Sequence, residues 1–305
     1  MSEITALAVK ELRRRSGAGM MDCKSALKEA AGNMDKAADI LRARGQAAAV
    51  KKAGREASQG GIALACDGRR GAVLELNCET DFVARNEQFL QLADQLAQLA
   101  LAEDDAALTA ERLLALAWPH AGGGTAADAL KAAVGALGEN LVLRRAHAMQ
   151  MQGGLVASYV HNSLSPREAA TQCGQIAVLV GLTTSLAPDD EGLQRLGRQL
   201  AMHIAANAPL AVTADELDAG VLERERAVYR AEAKNQGKSD GLLERIVEGR
   251  VRKFQAASAL LQQPFVLDTE RSVREVLDEQ AKALGAEVKV DGFVRWMLGE
   301  ESVSA

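Results

Sequence analysis

An α+β fold with a small helical head, two related sheet-and-helix halves and a helical hairpin is what the 305-residue sequence predicts. Three observations carry that prediction. The first fifty-odd residues show only helical patterning, with no aromatic residue before Phe82. A pattern of strand, turn, strand and helix then occurs twice. Near the end, two charged helical runs flank the turn Gly237-Lys238-Ser239-Asp240-Gly241.

The head reads as three short helices. Ile4, Leu7, Val9 and Leu12 give the first its apolar positions, and Ser16-Gly17-Ala18-Gly19 breaks it. Met20 to Ala31 makes the second, with Asp22 where the helix dipole favours an acid. Asn33 is placed to cap a third, which carries Met34, Ala37, Ala38 and Leu41 and is expected to stop at Gly45. Residues 46–60 read as a partly helical connector. The first repeat has strands at Gly60–Ala65 and Gly71–Leu76 around an Asp67-Gly68 hairpin signal, then a helix at Phe89–Leu101. The second has strands at Gly153–Ser158 and Gly174–Val180 and a helix at Leu193–Ala206. The helix faces correspond: Phe89, Leu92, Leu96 and Leu99 against Leu193, Leu196, Leu200 and Ile204. Chance similarity between two apolar hairpins remains an alternative to duplication.

Thr213-Ala214-Asp215-Glu216 has the form of a capping box ahead of helical runs at about 217–235 and 241–262, which make a mostly polar, protruding hairpin. Strands at Pro264–Leu267 and Val288–Arg295, with a helix at Val273–Leu284 between them, are expected to complete the second half. The divisions expected are thus a head at 1–54, a first core half at 55–149, the start of a second at 150–208, the hairpin at 209–263, and completion of the second half at 264–305.

Composition narrows the function classes. A hydrophobic share of 48% with 25% charged residues fits a soluble globular protein. No bilayer-length apolar run and no export signal are evident, so a cytoplasmic location is expected. Cys23, Cys66, Cys78 and Cys173 show no CxxC or metal-ligand spacing and read as reduced thiols. The net charge of −5 conceals an asymmetry: eleven Lys/Arg against six Asp/Glu give residues 1–54 a charge of +5, and the rest carries −10. A basic head admits an RNA- or ribosome-binding module as an alternative function. Its lack of aromatic residues weighs against base stacking.

Little else announces chemistry. Ala18 to Ser25 nearly spells a phosphate-binding loop, but Ala18 and Cys23 stand where its glycines belong and the context is helical. No nucleotide is therefore expected to bind, and no cofactor. His120, His147, His161 and His203 are scattered, and His203 lies on an apolar helix face as a satisfied core histidine would. A metal-dependent hydrolase at Glu79, Asp81 and His161 is the remaining acid-based alternative.

The most informative stretch is Asn77-Cys78-Glu79-Thr80-Asp81-Phe82-Val83-Ala84-Arg85-Asn86. By local pattern alone, Thr80 or Asp81 caps the next helix and Phe82 fills the core. The other reading is a wedge of ring plus carboxylate, projecting where a strand passes into a helix.

The motifs Glu3-Ile4-Thr5, Val9-Lys10-Glu11-Leu12-Arg13, Gly17-Ala18-Gly19-Met20-Met21-Asp22-Cys23-Lys24, Thr80-Asp81-Phe82-Val83-Ala84, and Gly138-Glu139-Asn140 with Arg144-Arg145 resemble the bacterial elongation factor Ts family. The resemblance runs from about residue 2 to 300 and fades in 101–135 and between His161 and Gly174. It implies a ubiquitin-associated-like three-helix head, two core subdomains and a coiled-coil projection. It also implies a guanine-nucleotide exchange factor, rather than an enzyme of covalent chemistry, that binds elongation factor Tu in its GDP-bound and nucleotide-free states. In the family, the element matching Thr80, Asp81, Phe82 and Val83 displaces Mg²⁺ from the partner. Lys10, Met20, Met21, Leu137 and His161 match partner-binding positions; no membrane or direct nucleic-acid partner is implied. The sequence departs from the family pattern in a longer loop from Asn162 to Cys173 and in Glu79, a second acid where a neutral residue is common.

Overall fold

The computed structural model describes residues 4–103, 107–120, 123–166, 169–236 and 240–300. The α+β class holds: small antiparallel sheets are backed by helices. The chain divides into two compact units, one of Met1–Met149, Val160–Ala177 and Trp296–Ala305, the other of Gln150–Tyr159 and Val178–Arg295.

In the first unit, helices α1 (Ala6–Ser16), α2 (Met20–Glu29) and α3 (Met34–Lys52) close on Leu12, Cys23, Leu27 and Ala37. The Thr5 hydroxyl caps α1, Gly17 ends it in the left-handed region, and Asn33 caps α3. Gly45 does not end α3, which continues to Lys52. The glycine instead faces a later helix, α7 (Ala126–Leu137): a Cβ on Gly135 of α7 would lie 2.9 Å from the Gly45 Cα, and one on Gly45 3.3 Å from the Ala132 Cα. Glycine inside a helix costs about 1 kcal/mol relative to alanine. Here its bare backbone admits a close helix crossing, and the helical part of the expected connector is the end of α3, to Lys52. Glu3 and Gly237-Lys238-Ser239 lie outside the described residues.

Strands β1 (Gln59–Cys66) and β2 (Arg70–Cys78) form the expected hairpin around Asp67-Gly68. The one-turn helix α4 (Asp81–Ala84) follows, then α5 (Glu87–Ala102), α6 (Ala110–Ala115) and α7. Phe89, Leu92 and Leu96 of α5 lie buried in one core with Leu74, Leu76 and Leu130. Strand β3 (Val142–Gln150) lies at one edge of this sheet, in the order β3-β2-β1-β5, where β5 is Thr171–Gly174. It was not expected, because Arg144-Arg145 interrupts its alternation. Those arginines have a partner: Glu75 of β2, fully buried, accepts from Arg144 at 3.3 Å and Arg145 at 2.8 Å. Gly299 N donates to the same carboxylate, and Arg145 lies over the Trp296 ring at 4.4 Å, which holds the segment after the last strand. A buried charge persists only when paired in this way.

The second unit holds most of β4 (Leu155–His161), β6 (Ile176–Thr184) and β9 (Val288–Met297), in the order β4-β6-β9, with α8 (Glu191–Asn207). The run expected as one strand at Gly174–Val180 is two. Strand β5 (Thr171–Gly174) pairs with β1, and after Gln175 the chain enters β6 in the other sheet. Helices α9 (Ala219–Asn235) and α10 (Asp240–Ser258) pack on each other through Ala233, Leu243, Val247 and Val251. Thr213-Glu216 does form a capping box, but of a single 3₁₀ turn, and Asp218 caps α9. Pro264-Phe265 (β7) pairs with β8 (Asp268–Ser272) as a separate hairpin rather than completing the sheet; α11 (Val273–Leu284) and β9 follow as expected.

The two halves share a backbone device. Gly60 (φ +137°) and Gly154 (φ +96°) each press against the neighbouring strand, where a Cβ would overlap the carbonyl oxygen of Leu76 or Leu182. His203 is a buried core residue, as its position on α8 suggests: its Nε2–H donates to Gln263 Oε1 at 2.8 Å, and Val266 N donates to Nδ1 at 3.1 Å.

Candidate functional site

Strand β2 ends at Cys78, and Glu79 and Thr80 lead into α4. Thr80 is extended (φ −128°, ψ 154°), and its hydroxyl accepts from Val83 N at 3.3 Å, which makes it the N-cap. Along this single turn Ala84 is buried and Val83 packs on the core, while Asp81 is exposed and Phe82 is 82% exposed. Both local readings thus hold in part: the threonine caps, but the aromatic ring points outward. The core position is filled instead by Phe89, seven residues on, with no exposed surface. An outward Phe forgoes about 1.5–3 kcal/mol of burial in the free chain.

The turn is held from behind. Glu139, just past the left-handed Gly138 that ends α7, accepts from Glu79 N at 3.1 Å, Thr80 N at 3.0 Å and Thr80 Oγ1 at 2.6 Å. Glu79 reciprocates, accepting from Asn140 N at 2.7 Å and pairing with Arg55 at 3.4 Å; the Asn140 amide donates to Arg55 O at 2.8 Å. Cys78 Sγ–H donates to Thr80 O at 3.1 Å. Burial, reinforced by the Glu139 carboxylate, pushes the Cys78 thiol up to about 12, and burial does the same for Cys173. Neither thiol is a nucleophile at neutral pH.

The other expected site residues lie in the same unit. Leu137 is half-buried at the end of α7, two residues before the Glu139 carboxylate. Met20 and Met21, at the start of α2, are 58% and 74% exposed, so neither is core filling. Their loop is tied to the start of α5 by Gln88 Nε2 donating to Gly17 O at 3.0 Å. Lys10 is exposed on α1 and His161 is exposed at the end of β4, where its carbonyl accepts from Gln175 N.

The match to a known family comes from sequence. Residues 79–300 fit the family described as Elongation factor TS. Elongation factor Ts of Rhizobium johnstonii is 46% identical over 98% of this chain and 94% of its own. That of Agrobacterium fabrum is 47% identical, and that of Rickettsia bellii 46%, with the same coverage. The chain belongs to the elongation factor Ts family. Its role is therefore that of a translation elongation factor.

Within this family member the rival readings find little support. No group of three His, Cys, Asp or Glu among the described residues stands close enough to hold a metal ion, and Glu79 turns toward Arg55 and Asn140. Four arginines of the basic head are paired with acids: Arg14 with Glu11, Arg15 with Asp35, Arg42 with Asp39 and Arg44 with Glu29. Lys24 and Ser25 of the phosphate-loop lookalike lie inside α2. Among the described residues no helix is long and apolar enough to cross a membrane. Sequence reasoning missed the supporting role of Glu139, Asn140 and Arg55. The one signal was an acid placed two residues after a helix end, together with a second acid, Glu79, whose use was undefined.

Proposed function

We propose that this elongation factor Ts family member is a guanine-nucleotide exchange factor for elongation factor Tu. It binds the GDP-bound and nucleotide-free partner, displaces Mg²⁺ and lets GDP leave so that GTP can enter. It forms no covalent intermediate, needs no cofactor, binds no nucleotide of its own and works in the cytoplasm. The observation that carries this reading is the exposed Phe82 beside Asp81 on a capped, braced turn. Mg²⁺ demands near-octahedral oxygen ligation. The ring enters the partner's nucleotide-binding domain while Asp81 disturbs polar groups around the ion's shell, and Thr80 and Val83 hold the turn. By linkage, a chain that prefers the empty partner weakens GDP by the factor with which GDP weakens it.

Magnitude argues for a wider interface. A thousandfold acceleration corresponds to about 4 kcal/mol at the barrier. Burying one Phe supplies about 1.5–3 kcal/mol. In this reading Lys10, Met20, Met21, Leu137 and His161 supply further contacts. The head of residues 1–54 and the core half of 55–149 form one partner surface, 150–208 with 264–305 form the other core half, and 209–263 form the hairpin.

Release of fluorescently labelled GDP from elongation factor Tu tests the reading. The full chain is expected to accelerate it, and the double variant Asp81→Ala, Phe82→Ala is expected to lose about a hundredfold or more while keeping its far-UV spectrum and melting temperature. An unchanged rate in a folded double variant overturns the reading.

A further inference from the structure

We propose that Glu139 is a positioning residue for the wedge: its carboxylate fixes the direction in which Asp81 and Phe82 point, without touching the partner. This rests on the exchange-factor reading above. With its ring 82% exposed, Phe82 has almost no packing of its own to set its direction. Its orientation is inherited from the backbone of residues 79–81. Both amides leading into α4 and the capping hydroxyl converge on the Glu139 carboxylate at 3.1, 3.0 and 2.6 Å, while the Cys78 thiol adds a single bond to Thr80 O. Hydrogen bonds to an ionised acceptor are the stronger kind, and several on one carboxylate restrict rotation as well as translation.

The arrangement is reciprocal. Glu139 of the 138–140 segment grips the backbone of 79–80, and Glu79 grips the backbone of Asn140 at 2.7 Å. Asn140 in turn holds the Arg55 carbonyl just after α3, and Arg55 reaches Glu79. Three chain segments distant in sequence are thereby locked around the wedge's root. The lock also gives Glu79 a structural place. Its carboxylate faces inward to Asn140 and Arg55, leaving Asp81 as the outward one. Because Leu137 lies two residues before Glu139, the same lock sets the end of α7 relative to Phe82.

Two measurements on the full chain test this. The first is amide hydrogen exchange in the free protein. Glu139→Ala is expected to speed exchange at Glu79 and Thr80 at least tenfold while Leu74 and Leu76 of β2 keep their protection. Glu139→Gln, which keeps one acceptor oxygen, is expected to fall between; unchanged protection at both amides overturns the proposal. The second is a double-mutant cycle on labelled-GDP release. Glu139→Ala is expected to reduce the maximal acceleration about tenfold in the native background and less than twofold when Phe82 is already alanine. Equal losses in both backgrounds mean that Glu139 acts independently of the wedge, and overturn the inference while the exchange reading stands. A Phe82→Ala variant that exchanges GDP normally overturns both.

Discussion

The strand-to-helix junctions of the two repeats start from the same architecture and end differently. In the first half, β2 passes into α5 through a one-turn helix that exposes Phe82 and is gripped by Glu139. In the second, β6 passes into α8 through residues 185–190, where Asp190 caps the helix directly and no large apolar side chain is exposed. Both halves share the strand-strand-helix order and the close-packed glycine at the start of the leading strand. The difference teaches that the repeat supplies a rigid platform, and that function resides in what one junction adds to it.

The sharpest way to break this comparison is to exchange the fates of two phenylalanines. Phe89→Ala should cost about 3–5 kcal/mol in a urea unfolding titration, since the ring is wholly buried. Phe82→Ala should change stability by no more than about 0.5 kcal/mol. A large stability loss at Phe82 would show that its ring is structural after all.

The platform's symmetry can be tested next. Gly60→Ala and Gly154→Ala should each destabilise by about 2–4 kcal/mol, because both combine a positive φ with a strand carbonyl in the Cβ position. If only one variant melts early in a thermal scan, the halves do not share the device.

A smaller effect is read through pH at the core histidine of α8. Burial lowers the His203 pKa below its usual value, with the Gln263 hydrogen bond opposing in part. The unfolded chain therefore binds this proton first as pH falls, and stability is lost below about pH 6.5. The slope is at most about 1.4 kcal/mol per pH unit for this group. His203→Gln should flatten stability between about pH 7.5 and 5.5, the window around the unperturbed histidine value; an unchanged slope would refute the assignment. The smallest expected effect is at the head, where Met20→Ala or Met21→Ala should slow labelled-GDP release only a few-fold, with melting unchanged. A loss as large as that of Phe82→Ala would move the centre of the interface to the head.

Much of this was legible along the chain. Gly17 and Asn33 mark helix ends by short-range chemistry, Asp67-Gly68 marks a hairpin, and Phe82 beside Asp81 marks the candidate site. What was hidden depends on distant partners. Arg144-Arg145 looks like a solvated pair until Glu75 is placed beneath it. Gly45 looks like a helix end until Gly135 is brought against it. Glu139 is an ordinary post-helix acid until residues 79 and 80 fold back upon it.

Sequence alone therefore determined most element types, the approximate repeat and the strand-to-helix junction that carries Thr80 and Phe82, because periodicity, caps and turns act within a few residues. Tertiary structure decided which sheet each strand entered at Gln175, that α3 ran on through Gly45, and which carboxylate braces the wedge. Those outcomes rest on contacts between residues dozens of positions apart, where backbone amides, buried charges and missing side chains find partners that no local pattern names.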